Sequence, residues 1–497
     1  MRALDDFIKK VLIASGITLT SMVIIRALGL VSSIVIARLL TPSDFGAYSI
    51  IVNFAVLGST IACLGIPVTI TKYVSEWNKK DPSVARAIGT RMLSILLFSS
   101  LIVAIVCIIL SDIIAVNLYG DEKLAIAIRI SSLLIVTNVF ATTIGSLMRG
   151  YLLISAYAKI GVIAVILTLP ITLLSIFFWN LNGAIIALAI SNGLIIIFSL
   201  WSMRETFKFW PKIRFSAIAE RIRGNRIASF TAYSFLSGIV VIPSAWIART
   251  MLAITWDLNS VAHFQIADSL SQIIMVIPTA VGLILMPMIS EQHALEPTRI
   301  NRTTSLLLNI TIFLALPIGL IALPFLKPII ILLYGSQYEA SYSPTIVMFA
   351  AAIFGTIGSV IFNIIVGVGR VRIAFLMNVF WMIIFILGTF LFIPSWGAEG
   401  LSTTYLLSFL SLLIIYLAYA KWRFKLRMVK TVVPLVIFIS LFLIYLFLIP
   451  MTDLTISLLF SAGSCVFMIW IGFQWVLGEE ERIIIWTVLR KIINRGD

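Results

Sequence analysis

The sequence predicts an all-α polytopic membrane protein. About fourteen transmembrane helices form two six-helix bundles related by a pseudo-twofold axis, followed by two further helices. Three observations predict it. Apolar runs of about 18 residues or more recur along the whole chain, each long enough to cross a hydrocarbon core of about 30 Å. The 497 residues are 61% hydrophobic and 11% charged, with mean hydropathy +1.12, whereas a soluble chain carries roughly 25% charged residues. Basic residues collect on alternate connections, and short motifs recur at a near-constant offset.

The expected spans run near 11–38, 45–71, 88–110, 127–148, 158–179, 182–203, 227–250, 260–289, 303–325, 342–367, 373–393, 398–420, 431–449 and 454–477. The N-terminus, the connections near 72–91, 149–159, 204–226, 291–302, 370–372 and 421–430, and the tail 478–497 hold 30 of the 36 Lys/Arg. The intervening connections hold only Lys123 and Lys327, and Arg26, Arg38, Arg129 and Arg249 fall within or at the ends of spans. Basic connections stay in the cytoplasm. The bias therefore predicts a cell-membrane protein with both termini cytoplasmic, and it accounts for the net charge of +15 without a nucleic-acid partner.

The chain repeats itself. Ile36-Ala37-Arg38 returns as Ile247-Ala248-Arg249, Ser75-Glu76 as Ser290-Glu291, Leu118-Tyr119-Gly120 as Leu333-Tyr334-Gly335, and Gly183 as Gly400. The offsets run from 211 to 217 residues and the matches fall at the same topological places. Six spans per repeat return the chain to one side, so the halves share an orientation and a pseudo-twofold axis along the membrane normal. The expected organisation is a lobe over 1–203, a basic cytoplasmic linker over 204–226, a second lobe over 227–420, and two added helices with a tail over 421–497. The linker holds seven Lys/Arg interleaved with Phe207, Phe209, Trp210, Ile213 and Phe215, a pattern suited to lying along the membrane surface.

No enzyme motif is present: neither a P-loop nor HExxH, GxSxG or CxxC. Cys63, Cys107 and Cys465 lie in apolar runs without metal-ligand or pairing spacing. Neither a cofactor nor a metal is expected. The costly residues are intramembrane charges. Arg26 lies mid-span, about 18 Å from Arg38 at 1.5 Å per residue. Facing lipid, it would cost about 2.5–3.5 kcal/mol or more. It therefore faces a cavity or a partner, and its planar fork suits phosphate oxygens. Asp268 is the only acid well inside a span. It is a candidate partner for Arg26, or a site for a coupling proton or sodium ion.

The repeat equates Asn53 with Asp268, and Arg26 with Ser237, which suggests polar groups at matched depth in a shared cavity. Arg38 and Arg249 sit at matched outer ends, as interface anchors or as contacts for an anionic headgroup. Arg149, Lys159 and Arg370 rim the inner mouths. They act first as topology signals and second as collectors of phosphorylated lipid.

The run Ala37-Arg38-Leu39-Leu40-Thr41-Pro42-Ser43-Asp44-Phe45-Gly46-Ala47-Tyr48 is similar to the signature ARxLxPxxFGxY of one known group. With the 6+6+2 layout and the two Leu-Tyr-Gly landmarks, the chain resembles the polysaccharide-transport branch of the multidrug/oligosaccharidyl-lipid/polysaccharide flippase superfamily. The resemblance implies a flippase, not an enzyme. It implies movement of a polyprenyl-phosphate- or pyrophosphate-linked glycan to the outer leaflet, through a cationic cavity lined by spans 1, 2, 7 and 8. Such a protein works as a monomer among membrane lipids, by alternating access. A peptidoglycan-precursor flippase, a multidrug/cation antiporter and a membrane glycosyltransferase are the alternatives.

Overall fold

A computed structural model describes residues 2–204, 224–274, 297–368, 370–424, 428–448 and 454–476. Most of the linker 204–226, the inner half of expected span 8, Ser290-Glu291 and the C-terminal tail lie outside the described residues. Those described are helical, with no strand among them. The helices are α1 (Arg2–Leu39), α2 (Pro42–Cys63), α3 (Ile66–Lys80), α4 (Pro82–Ile113), α5 (Leu124–Gly150), α6 (Ile154–Ser202), α7 (Gly224–Thr255), α8 (Leu258–Ser271), α9 (Pro297–Tyr334), α10 (Tyr342–Gly367), α11 (Val371–Phe424), α12 (Met428–Leu448) and α13 (Leu454–Ile471).

Among the described residues, nine helical stretches are long and apolar enough to cross a membrane. Two of them, of 49 and 52 residues, would exceed about 70 Å if straight, more than twice a bilayer core. Each folds back. In α6 the reversal is at Asn180 (φ 44°, ψ −125°), and in α11 at Gly397 (φ 54°, ψ −127°). Both have the backbone of the first central residue of a type II′ turn. The arms lie side by side: Gly183 abuts the Ser175 carbonyl, and across α11 Trp381 packs at a tilt against Tyr405 and Phe409 while Phe385 meets Tyr405 edge-on. The reversals lie 217 residues apart, so the sequence repeat recurs as backbone geometry. The Leu-Tyr-Gly landmarks behave likewise, each ending a helix with a glycine at positive φ, Gly120 at 66° and Gly335 at 108°.

The turn into α2 explains the signature physically. Thr41 Oγ1 accepts from the Asp44 N–H, Pro42 occupies the first turn, and Asp44 places its charge there. Threonine cap, N1 proline and early carboxylate together start a helix. Phe45 is fully buried, and Gly46 presses on the Leu258 carbonyl, where any side chain would collide.

The expected continuous span 45–71 is broken. Leu64 and Gly65 take left-handed conformations (φ 50° and 72°) between α2 and α3, and Pro67 then begins the new helix.

The chain divides into two compact units, one of residues 1–265 with 389–398, the other of 266–388 with 399–497. In the first, α2 to α6 enclose two apolar clusters. One is built on Ala55, Cys107, Ile128 and Ile185, the other on Ile70, Val84, Leu147 and Met203. Arg129 is held by Asp112 at 2.6 Å and Ser111 at 3.0 Å. In the second unit, most of the span Ser336–Val366 is buried. It is covered in part by α12, through Phe354 against Phe438, while the segment after α13 packs Phe473 on Phe313 of α9. Phe98, Phe177, Leu332, Trp422 and Phe447 are each more than 70% exposed. That inside-out surface suits hydrocarbon and would aggregate in water.

Candidate functional site

Within the first unit, α2 runs against α7 and the start of α8. At one end Gly46 meets the Leu258 carbonyl, and Ser49 Oγ donates to Gln265 Oε1 at 2.6 Å. Those two residues are 216 apart, within the range of the repeat offset. Midway, Phe54 packs on Trp246 with ring centroids 6.0 Å apart. At the other end a β-carbon on Gly65 would sit 2.5 Å from the Thr231 carbonyl and the Phe235 nitrogen. Beside it the Thr69 and Thr231 hydroxyls are 2.9 Å apart, and Lys72 Nζ lies 3.8 Å over the Phe230 ring. The seam of α2 and α3 against α7 and the start of α8 is therefore closed at both ends and midway. Glycine is required at both ends because backbone meets backbone there.

The expected site residues distribute as follows. Asn53, on α2, donates Nδ2–H to the Ser49 carbonyl at 2.8 Å. Arg249, on α7, is 4% exposed. Its guanidinium lies 5.1 Å from the Phe264 ring centroid, a cation–π arrangement strengthened by removal from water. Next to it Thr250 meets the Tyr119 hydroxyl at 3.0 Å. Burial pushes that phenol up to about 12, so it stays neutral.

Arg38, the repeat counterpart of Arg249, is exposed at the end of α1. The matched arginines thus stand in different surroundings. Ser237 lies on α7, and Asp268 lies on α8 in the second unit, half-buried. The Asp268 carbonyl accepts from Ser271 Oγ at 2.8 Å.

Arg26 is on another helix pair. α1 packs on α6, with Ile25 so near Gly161 that a β-carbon there would lie 2.9 Å from it. Near the end of α1, Ile36 and Ala37 are buried. Around Arg26 the flank is open: Val23, Ile24, Arg26 and Ala27 are all exposed. Ser49 and Gln265 were not read from the sequence as site residues. The signal available was their near-repeat spacing, which is weak for uncharged side chains.

The family described as "Polysaccharide biosynthesis protein" matches over residues 12–293. Among solved structures, the lipid II flippase MurJ in an inward closed conformation is similar in fold. It has TM-score 0.69 and 16% identity, over 92% of this chain and 98% of that one. An inward-facing multidrug resistance MATE family transporter of the MOP superfamily has TM-score 0.62 at 14% identity, over 80% and 94%. A MOP superfamily transporter from Pyrococcus furiosus has TM-score 0.62 at 13% identity, over 84% and 95%. No curated protein matches by sequence. These likenesses give the fold of the MOP superfamily in a multi-pass membrane protein.

Proposed function

We propose that this chain, which belongs to the polysaccharide biosynthesis protein family, translocates a polyprenyl-phosphate- or pyrophosphate-linked oligosaccharide from the cytoplasmic to the outer leaflet of the cell membrane. The observation that carries the reading is Arg26, a permanently charged fork on the open flank of an apolar helix in a chain of this family. Arg26 binds the carrier phosphate. Asn53, Ser237, Arg38, Arg249 and Asp268 are the further candidate contacts. The sugars occupy the polar cavity while the prenyl tail stays in lipid. Two six-helix lobes, 1–203 and 227–420, rock about the pseudo-twofold axis, with 204–226 joining them on the cytoplasmic side and 421–497 as an addition. A peptidoglycan lipid precursor is the second reading, favoured by the MurJ-like fold. Removing the protein from its native cell distinguishes the two. The expected result is accumulation of a non-peptidoglycan lipid-linked oligosaccharide on the inner leaflet. An unchanged lipid-linked glycan pool would sink both readings.

Asp268 is the proposed site for a coupling proton or sodium ion, because a carboxylate inside a span can bind either. With Asp268→Asn, transport into vesicles is expected to stop responding to an imposed gradient of the coupling ion. A response equal to that of the unmodified protein would exclude coupling there.

A further inference from the structure

The basic end of the first unit holds a feature this translocation scheme leaves unused. Arg149 closes α5. Its Nη2 donates to Ser146 Oγ at 2.8 Å, and its guanidinium lies 5.4 Å from the Tyr157 ring centroid. Both partners are neutral. The acids of the neighbouring α3–α4 corner are engaged elsewhere: Glu76 holds Lys80 at 2.9 Å, and Asp81 accepts from the Ser83 hydroxyl at 2.6 Å and its N–H at 3.0 Å. The guanidinium has five N–H donors, and Ser146 takes one. Its orientation is nevertheless fixed, because the Tyr157 ring is seated on Gly145, where a β-carbon would lie 2.6 Å from the hydroxyl.

The surroundings point to a lipid rather than a soluble anion. Leu152, on the turn just after Arg149, and Ile154, the first residue of α6, are 59% and 39% exposed. Bare apolar side chains rimming a cation mark headgroup depth at a membrane surface. From Arg149 a strip of polar residues, Ser146, Thr142 and Asn138, runs at helical spacing along one face of α5. It ends where Asn138 Nδ2 donates to Ser59 Oγ at 3.3 Å. The strip leads about 16 Å into an apolar lobe.

We propose that Arg149, with Ser146 and Tyr157, is a docking site for the phosphate of an anionic membrane lipid. It rests on the reading above in assigning this end to the inner leaflet and in placing the next phosphate contact at Arg26. There it holds the lipid phosphate at the rim before the phosphate reaches Arg26.

The test is native mass spectrometry of the purified full-length protein with phosphatidylglycerol and phosphatidylcholine. Unmodified protein is expected to retain phosphatidylglycerol about tenfold better, as one charge-assisted contact allows. Arg149→Gln is expected to lose that preference, Arg149→Lys to keep part of it, and Arg26→Ala to keep all of it. Undiminished preference in Arg149→Gln overturns the proposal. If that variant does not fold, Arg149→Lys decides, since full preference with an ammonium that lacks the fork overturns the assigned geometry. Millimolar inorganic phosphate is expected to leave the adduct in place, and displacement would replace the lipid with free phosphate as the ligand. Normal export by Arg26→Ala, with the preference lost in Arg149→Gln, removes the cavity reading and leaves the docking site standing. Retained preference in Arg149→Gln with export abolished in Arg26→Ala does the reverse.

Discussion

Replacing Arg26 with alanine is expected to abolish export of lipid-linked glycan while the protein still reaches the membrane at normal level. An arginine inside an apolar span costs about 2.5–3.5 kcal/mol on insertion scales, so alanine makes α1 easier to insert, not harder. Val23, Ile24, Arg26 and Ala27 are all exposed. What is lost is the guanidinium. Charge-assisted hydrogen bonds contribute about 1.5–3 kcal/mol each, so losing a bidentate pair weakens phosphate binding by at least about a hundredfold. Arg26→Lys keeps the charge without the fork and is expected to restore only part of the export. Cell-surface glycan and membrane protein level, measured together, check this. Normal export by Arg26→Ala at normal level would end the cavity-anion reading.

Hydropathy made the fold class legible, because only helices satisfy the backbone inside lipid. The turns were legible where turn chemistry is local. Asn180 and Gly397 reverse α6 and α11 at the connections expected near 180–181 and 394–397. The break inside expected span 2 was not read. Gly65 and Pro67 announce it, but the apolar run continues through them, and hydropathy reports environment rather than helix continuity. The candidate site was legible only in its charges. The repeat equates Arg38 with Arg249, yet Arg249 is 4% exposed beside Phe264 while Arg38 is exposed. A pattern within one chain shows which positions correspond, not which neighbours each acquires. Ser49 and Gln265 escaped notice for the same reason, since a contact between two neutral polar residues leaves no trace in composition.

Joining Thr69 to Thr231 through a pair of cysteines is expected to stop export completely and reversibly. In the structure α2 and α3 lie against α7, where Gly65 meets the Thr231 carbonyl and the Phe235 nitrogen, and Gly46 meets Leu258 at the start of α8. If substrate enters between α3 and α7 at the basic end, the Thr69–Thr231 pair must part in every cycle, and a covalent bond there holds the seam shut. The two hydroxyl oxygens are 2.9 Å apart. Sulfurs in their place would start within about 1 Å of the 2.05 Å disulfide length. In a background lacking Cys63, Cys107 and Cys465, oxidised Thr69→Cys/Thr231→Cys protein is expected to lose export and to regain it with dithiothreitol. Each single variant should export normally, because one lost hydroxyl contact of about 1 kcal/mol loosens the closed seam without locking it. Fully crosslinked protein that still exports would show that entry does not pass between α3 and α7. The gate would then have to be sought between other helices, with Arg26 retained as the binding group.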